Sequence, residues 1–185
     1  MKRYGPGVIV IPSWQWLVST YDVHTIQDNN QDQNTMNDPD ILARLTRMED
    51  LEAIKQLKAL YCEICDDDHN PDRIVTIFTD DCVWEGRGIG RAEGHAQLRE
   101  LFTSFQKMMS FSQHMTMNPR IEVTGDTATG TWYFLGPFTF REGNQAKWQA
   151  ARYREDYAKK DGSWKIKHLR VRGPGFSADY QKGWA

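Results

Sequence analysis

The 185-residue chain is poor in cysteine, lacks long apolar runs and carries no surplus of either charge. Three cysteines, Cys62, Cys65 and Cys82, cannot close a disulfide set, so the simplest context is a reducing cytoplasm. Cys62 and Cys65 form a C-x-x-C, but zinc would want a second pair and only Cys82 remains. The motif also lies inside a helical pattern, away from the helix start that would stabilise a thiolate. The cysteines are therefore expected to be small buried helix residues. The apolar run Val8–Ile11 stops at Pro12, well short of the roughly 20 residues that span a bilayer. No small-residue cleavage site follows Lys2-Arg3, which argues against a signal peptide. With 23 Lys+Arg against 25 Asp+Glu, the net charge of −2 leaves no broad basic field for nucleic acid. There is no H-E-x-x-H, no P-loop, no G-x-S-x-G and no G-x-G-x-x-G opening a helix. His24, His69, His95 and His168 share no metal spacing. No metal and no cofactor are expected.

What is present is one domain's worth of chain, with 39% hydrophobic residues, seven Trp, seven Tyr and eight Phe. Such aromatic bulk can line a hollow as well as fill one. Residues 1–35 read as an N-terminal extension, expected to be flexible, because 28–35 (DNNQDQNT) are polar and aperiodic. The folded unit is expected over 36–173, with 174–185 as a tail. Asn37-Asp38-Pro39 is a helix start, with a capping residue and proline at the first helical position. From Ile41 the steps Leu45, Met48, Leu51, Ile54, Leu57, Tyr61 and Ile64 predict one amphipathic helix ending near Asp66–His69. A short helix over 71–78, a brief strand over 82–85, a glycine loop over 86–90 and a third helix over about 94–108 follow. The period then changes to 2. Strands are expected over 112–123, 127–140, 145–159 and 163–172, joined by short glycine turns into an antiparallel meander. The class is α+β: a strongly curved, cone-shaped sheet wrapped over three helices, leaving a pocket between them.

Several polar residues fall where the pattern wants apolar ones. Tyr61 is in phase with Leu57 and Ile64, so its phenol faces the core and needs a partner. Asp66, Asp67 and Asp68 crowd a helix C-terminus, against the macrodipole. Asp66 lies about 140° around an ideal helix from Tyr61, so the two share a pocket only if the helix ends or bends there. Asp68 is better in phase and stays an alternative. His114 shares one strand face with Ser112, Thr116 and Asn118. Arg170 and Arg172 share parity with Trp164 and Ile166, which would turn Arg172 inward at the strand end.

The segments Asp50–Asp66 (DLEAIKQLKALYCEICD), Ile77–Glu85, Ser112–Met115, Gly125–Tyr133 and Asp161–Ile166 resemble the SnoaL-like branch of the nuclear transport factor 2-like superfamily. The likeness is nearest to its dehydratases of the bile acid 7-alpha and scytalone types. That resemblance implies an α+β cone with the site inside it, and a His/Asp dyad matching His114 and Asp66. It also implies a pocket tyrosine at Tyr61 and a pocket arginine at Arg172, with Arg170 as the alternative. The second pocket histidine of the scytalone type has no clear counterpart, because His95 stands at the start of the third helix. Aromatic walls are expected from Trp84, Trp132, Phe134 and Trp148. The implied activity is a cofactor-independent hydro-lyase acting on a hydroxylated polycyclic or steroid-like substrate by His/Asp proton abstraction. The alternatives are a ketosteroid-type isomerase and a non-catalytic ligand binder. The expected partners are a small hydrophobic substrate and a second or third copy of the chain, with no nucleic acid and no membrane.

Overall fold

A computed structural model describes residues 39–177; the expected N-terminal extension and the last eight residues lie outside the described residues. Helix α1 spans Pro39–Asp66, with proline at its first position as the sequence implies. Its expected apolar stripe is only partly used. Ile41, Leu45 and Met48 are exposed, and burial begins at Asp50 and Ile54. A helix of 28 residues runs to roughly 42 Å, and the sheet covers only its C-terminal part. Helix α2 (Pro71–Ile74) is capped by the Asn70 side chain, which accepts from Asp72 and Arg73 N–H, and continues as a 3-10 turn over Val75–Ile77. Strand β1 (Phe78–Gly86) is longer than expected. The glycine loop is the turn of a hairpin, because Gly90–Glu93 forms β2 antiparallel to β1. Helix α3 covers Gly94–Met108 and buries Leu98, Phe102 and Phe105.

The expected strand over 112–123 is two strands, β3 (Met109–Ser112) and β4 (Met115–Thr124), interrupted at Gln113–His114. Both pair with the long strand β5 (Thr127–Phe140). Next come β6 (Gln145–Lys160), β7 (Ser163–Arg172) and a two-residue β8 (Phe176–Ser177), which extends the ladder past the expected domain end at 173. The pairing order is β2-β1-β7-β6-β5-β3, with β4 on β5 and β8 on β6. All pairs are antiparallel except β1 with β7, so the curled sheet is mixed. The cysteines are free and buried.

Between the helices and the concave face lies a largely apolar core crossed by a buried ion pair. Lys58 on α1, almost fully buried, places its ammonium 2.5 Å from Oε1 of the equally buried Glu155 on β6. Tyr157 donates its hydroxyl to the other oxygen of Glu155, and Trp132 Nε1 donates to Tyr157 at 3.1 Å. The same ammonium lies 3.4 Å from the Tyr153 ring centroid and 4.3 Å from that of Tyr61. Removing one member of such a pair strands the other charge, at a cost of about 3–5 kcal/mol, whereas replacing both with apolar groups is far milder. Lys58→Met should therefore lower the urea midpoint sharply, and Lys58→Met/Glu155→Leu should recover most of the loss. Equal midpoints for the two variants would contradict the pairing.

Candidate functional site

Helix α1 ends at Asp66. Its carbonyls are closed by Asp67 N–H to Glu63 O (2.8 Å), His69 N–H to Cys65 O (3.1 Å) and Asn70 N–H to Ile64 O (3.3 Å). Asp68 and His69 both take left-handed backbone, φ +52°. That turn frees the Asp66 carboxylate from the helix face and aims it at the break between β3 and β4. There the His114 N–H has no strand partner and donates to both carboxylate oxygens at 3.0 and 2.9 Å. The His114 ring completes the clamp, with Nδ1 2.7 Å from Oδ1. Ser112 Oγ donates to Cys65 O at 3.0 Å and lies 3.4 Å from Asp66 Oδ1. Asp66 thus fixes the backbone and the ring of one residue together. It settles Asp66 over Asp68 as the carboxylate beside His114, because Asp68 turns outward toward Arg141 at 3.5 Å.

His114 lines a small, half-open cavity of about 40 Å³. Tyr61, Trp84, His69, Phe138, Gln149, Tyr153 and Phe176 contribute to its lining. Phe134 packs on the His114 ring with centroids 5.1 Å apart. Tyr61 accepts from Trp84 Nε1 at 3.0 Å, and its hydroxyl is also within hydrogen-bond reach of Cys65 and Tyr153. Tyr61 also meets Tyr153 edge-on, with centroids 6.0 Å apart. The phenols of Tyr61 and Tyr153 are held far above the ordinary tyrosine range by burial, which keeps them as neutral donors. Phe176 closes one wall edge-on against Phe138 and Phe140, at 5.0 and 5.1 Å.

Other expected residues lie elsewhere. Lys167 is an extra residue between the Tyr157–Ile166 and Asp156–His168 pairs. This bulge inverts the parity of β7, so Leu169 and Val171 face the core while Arg172 is exposed. The expectation of an inward Arg172 is corrected on that ground. Its alternative, Arg170, bonds Asp156 at 2.9 Å and His168 at 2.6 Å. Trp148 is also a correction: it is 40% exposed, because its neighbour Gln149 takes the inward position on β6. Trp132 is buried but bonded to Tyr157, and it does not line the cavity. His95 sits 3.2 Å from Phe78 O, away from the cavity. The sequence reading missed most of the lining, Tyr153 and His69 among it. Tyr153 shares its face with Tyr157, which was the available signal; His69 had none, since it lies in a turn. A larger depression of about 410 Å³ is lined by Glu85, Arg87, Arg91, Arg170 and Arg172. No histidine lines it.

Burial lowers the pKa of His114, with Asp66 acting against this and Lys58 adding to it, so the ring is neutral at pH 7. Burial brings His69 down to about 3, and His114 nearby contributes. Between about pH 6.5 and 3 the unfolded chain binds a proton at His69 that the folded chain refuses, and the lowered pKa of His114 acts in the same direction. Stability therefore falls as pH falls through that window, by up to about 1.4 kcal/mol per pH unit for His69. His69→Asn should flatten the pH dependence of the urea midpoint between pH 6 and 4; an unchanged slope would show that His69 does not resist protonation.

A family model described as a SnoaL-like domain matches residues 46–170. Gamma-hexachlorocyclohexane dehydrochlorinase from Sphingobium indicum is 30% identical over 133 residues, covering 71% of this chain and 81% of that protein. The solved structure of a type 2 hexachlorocyclohexane dehydrochlorinase superposes with a TM-score of 0.68 at 29% identity, covering 72% and 91%. A scytalone dehydratase-like protein from Novosphingobium aromaticivorans superposes at 0.67 with 19% identity, covering 72% and 90%, which speaks to the fold alone.

Proposed function

The chain belongs to the SnoaL-like domain family, and on that premise we propose that it is a cofactor-independent carbon–oxygen lyase. Its base is the His114/Asp66 dyad and its substrate a hydroxylated cyclic ketone of polycyclic or steroid-like type. One observation carries the reading: the 2.7 Å contact between His114 Nδ1 and Asp66, in a histidine that lines a small, mostly apolar cavity. A carboxylate on Nδ1 fixes the tautomer and raises the basicity of Nε2. A mere binding pocket has no need of it. Desolvation opposes that gain, and the balance keeps the base neutral and ready at pH 7. His114 removes a proton from the carbon beside a carbonyl, and the hydroxyls of Tyr61 and Tyr153 stabilise the enolate oxygen. The hydroxyl on the next carbon then leaves.

Elimination is favoured over double-bond isomerisation because the similar proteins named above are dehydrochlorinases. Phenol donors in the cavity suit an oxygen-bearing substrate. At about 40 Å³ the cavity is far below the roughly 300–1,000 Å³ of small-molecule sites, so a ring system enters only when a wall such as Phe176 moves outward.

The test uses 1-tetralone in D₂O, with exchange at C2 followed by proton NMR. The native protein should catalyse the exchange. His114→Ala should slow it by roughly 10²–10⁴-fold with the fold intact, and Asp66→Asn should slow it too. The rate should hold through the ordinary histidine range and fall only at lower pH, because burial lowers the pKa at which His114 takes up a proton. Undiminished exchange in His114→Ala would reject the assignment.

A further inference from the structure

The cavity holds a second imidazole that the dyad does not use. His69 is 5% exposed, and its ring centroid stands 5.9 Å from that of His114, at 70°. Phe105 and Phe102 pack around it at 5.5 and 6.0 Å. These ring contacts are its only side-chain partners among the described residues; neither ring nitrogen has a hydrogen bond. His69 lines the half-open pocket beside His114, so an imidazole there with no protein partner offers a place for a ligand atom. The left-handed backbone at Asp68 and His69 is what brings the ring there, a conformation non-glycine residues adopt at a cost. His69 and Tyr61 both flank His114, at 5.9 and 6.5 Å between centroids.

This inference rests on the lyase reading and deepens it. We propose that His69 is a substrate-binding residue whose ring N–H holds the departing hydroxyl of a β-hydroxy ketone beside His114. The carbonyl then lies toward Tyr61 and Tyr153, the acidic C–H toward His114, and the hydroxyl toward His69. His114 takes the proton from the α carbon. The electron pair of that C–H bond becomes the new C=C bond, and the C–O bond to the β carbon breaks. Hydroxide leaves and receives a proton from the His114 imidazolium, so ketone and water are the products and no redox partner is needed. His69 stays neutral at working pH, because burial keeps its pKa near 3. It therefore supplies a hydrogen bond rather than a proton, as a neutral imidazole electrophile does.

The experiment compares equilibrium binding of 3-hydroxy-1-tetralone with that of 1-tetralone, which lacks the leaving hydroxyl. The native protein should bind the hydroxy ketone about tenfold more tightly. His69→Phe should erase that preference while holding 1-tetralone within about twofold, and His69→Gln, which keeps an N–H donor, should retain most of it. Phenylalanine is disfavoured at positive φ, so the unmodified protein supplies a second reading. Its His69 ring ¹⁵N resonances should move with 3-hydroxy-1-tetralone and not with 1-tetralone. No preference in the native protein, equal loss for both ketones in His69→Phe, or an unmoved ¹⁵N signal overturns the proposal. Failure of the base assignment shows separately, as 1-tetralone exchange that persists in His114→Ala.

Discussion

One carboxylate holds the candidate site together. Asp66 accepts the backbone N–H of His114, its ring Nδ1 and, more weakly, the Ser112 hydroxyl. Each of those donors is available for a definite reason. The His114 N–H is free because the strand breaks between Ser112 and Met115. The ring is turned inward by the same break. The carboxylate is free because α1 ends on that residue. A continuous strand would have spent the N–H on β5, and a longer helix would have turned the carboxylate away. The break is held open from the other side, where the Gln113 N–H reaches Pro137 O at 3.1 Å. A Cβ on Gly136 would lie 2.4 Å from the Gln113 oxygen, so no larger residue fits there without moving the peptide next to His114.

Beneath the dyad, the Lys58–Glu155 layer gives the pocket floor a fixed polarity. Its ammonium lies against the two tyrosine rings that supply the donors, and its charge helps keep His114 unprotonated. Its partner, Glu155, raises the phenol pKa values further. The floor therefore favours neutral hydrogen-bond donors below a neutral base. That pairing suits proton abstraction from carbon, where the developing oxyanion needs donors and the base needs a free lone pair. A buried ion pair is weak evidence of stability in itself. Here it orients Tyr61, Tyr153 and Tyr157 around one charge.

Reading the chain as a sequence recovered the order of helices and strands, the turn positions, the 94–108 helix and the long hairpins. These depend on neighbours a few residues apart, through periods of 3.6 and 2 and through glycine turns. It also singled out His114, Tyr61 and Trp84, which the fold brings to one cavity, and Asp66, which bonds His114. Errors came where a count along the chain was interrupted. One bulged residue at Lys167 reversed the facing of everything after it and placed Arg172 outside. Trp148 went astray because apolar character was taken for inwardness on a strand whose inward neighbour is Gln149. Ile41, Leu45 and Met48 form a proper helical stripe, but the described sheet does not reach them.

By itself the sequence determined the α+β class, the amphipathic helix ending at the acidic run, the meander, and a histidine and a carboxylate as candidate partners. Local pattern contains all of that information. The tertiary structure alone decided that Asp66 rather than Asp68 meets His114, that Lys58 pairs with Glu155, and that His69 enters the cavity. Those contacts join residues 48, 97 and 45 positions apart. Whether such residues touch depends on where helices stop, where ladders break and how strands curl, and no short-range periodicity encodes these.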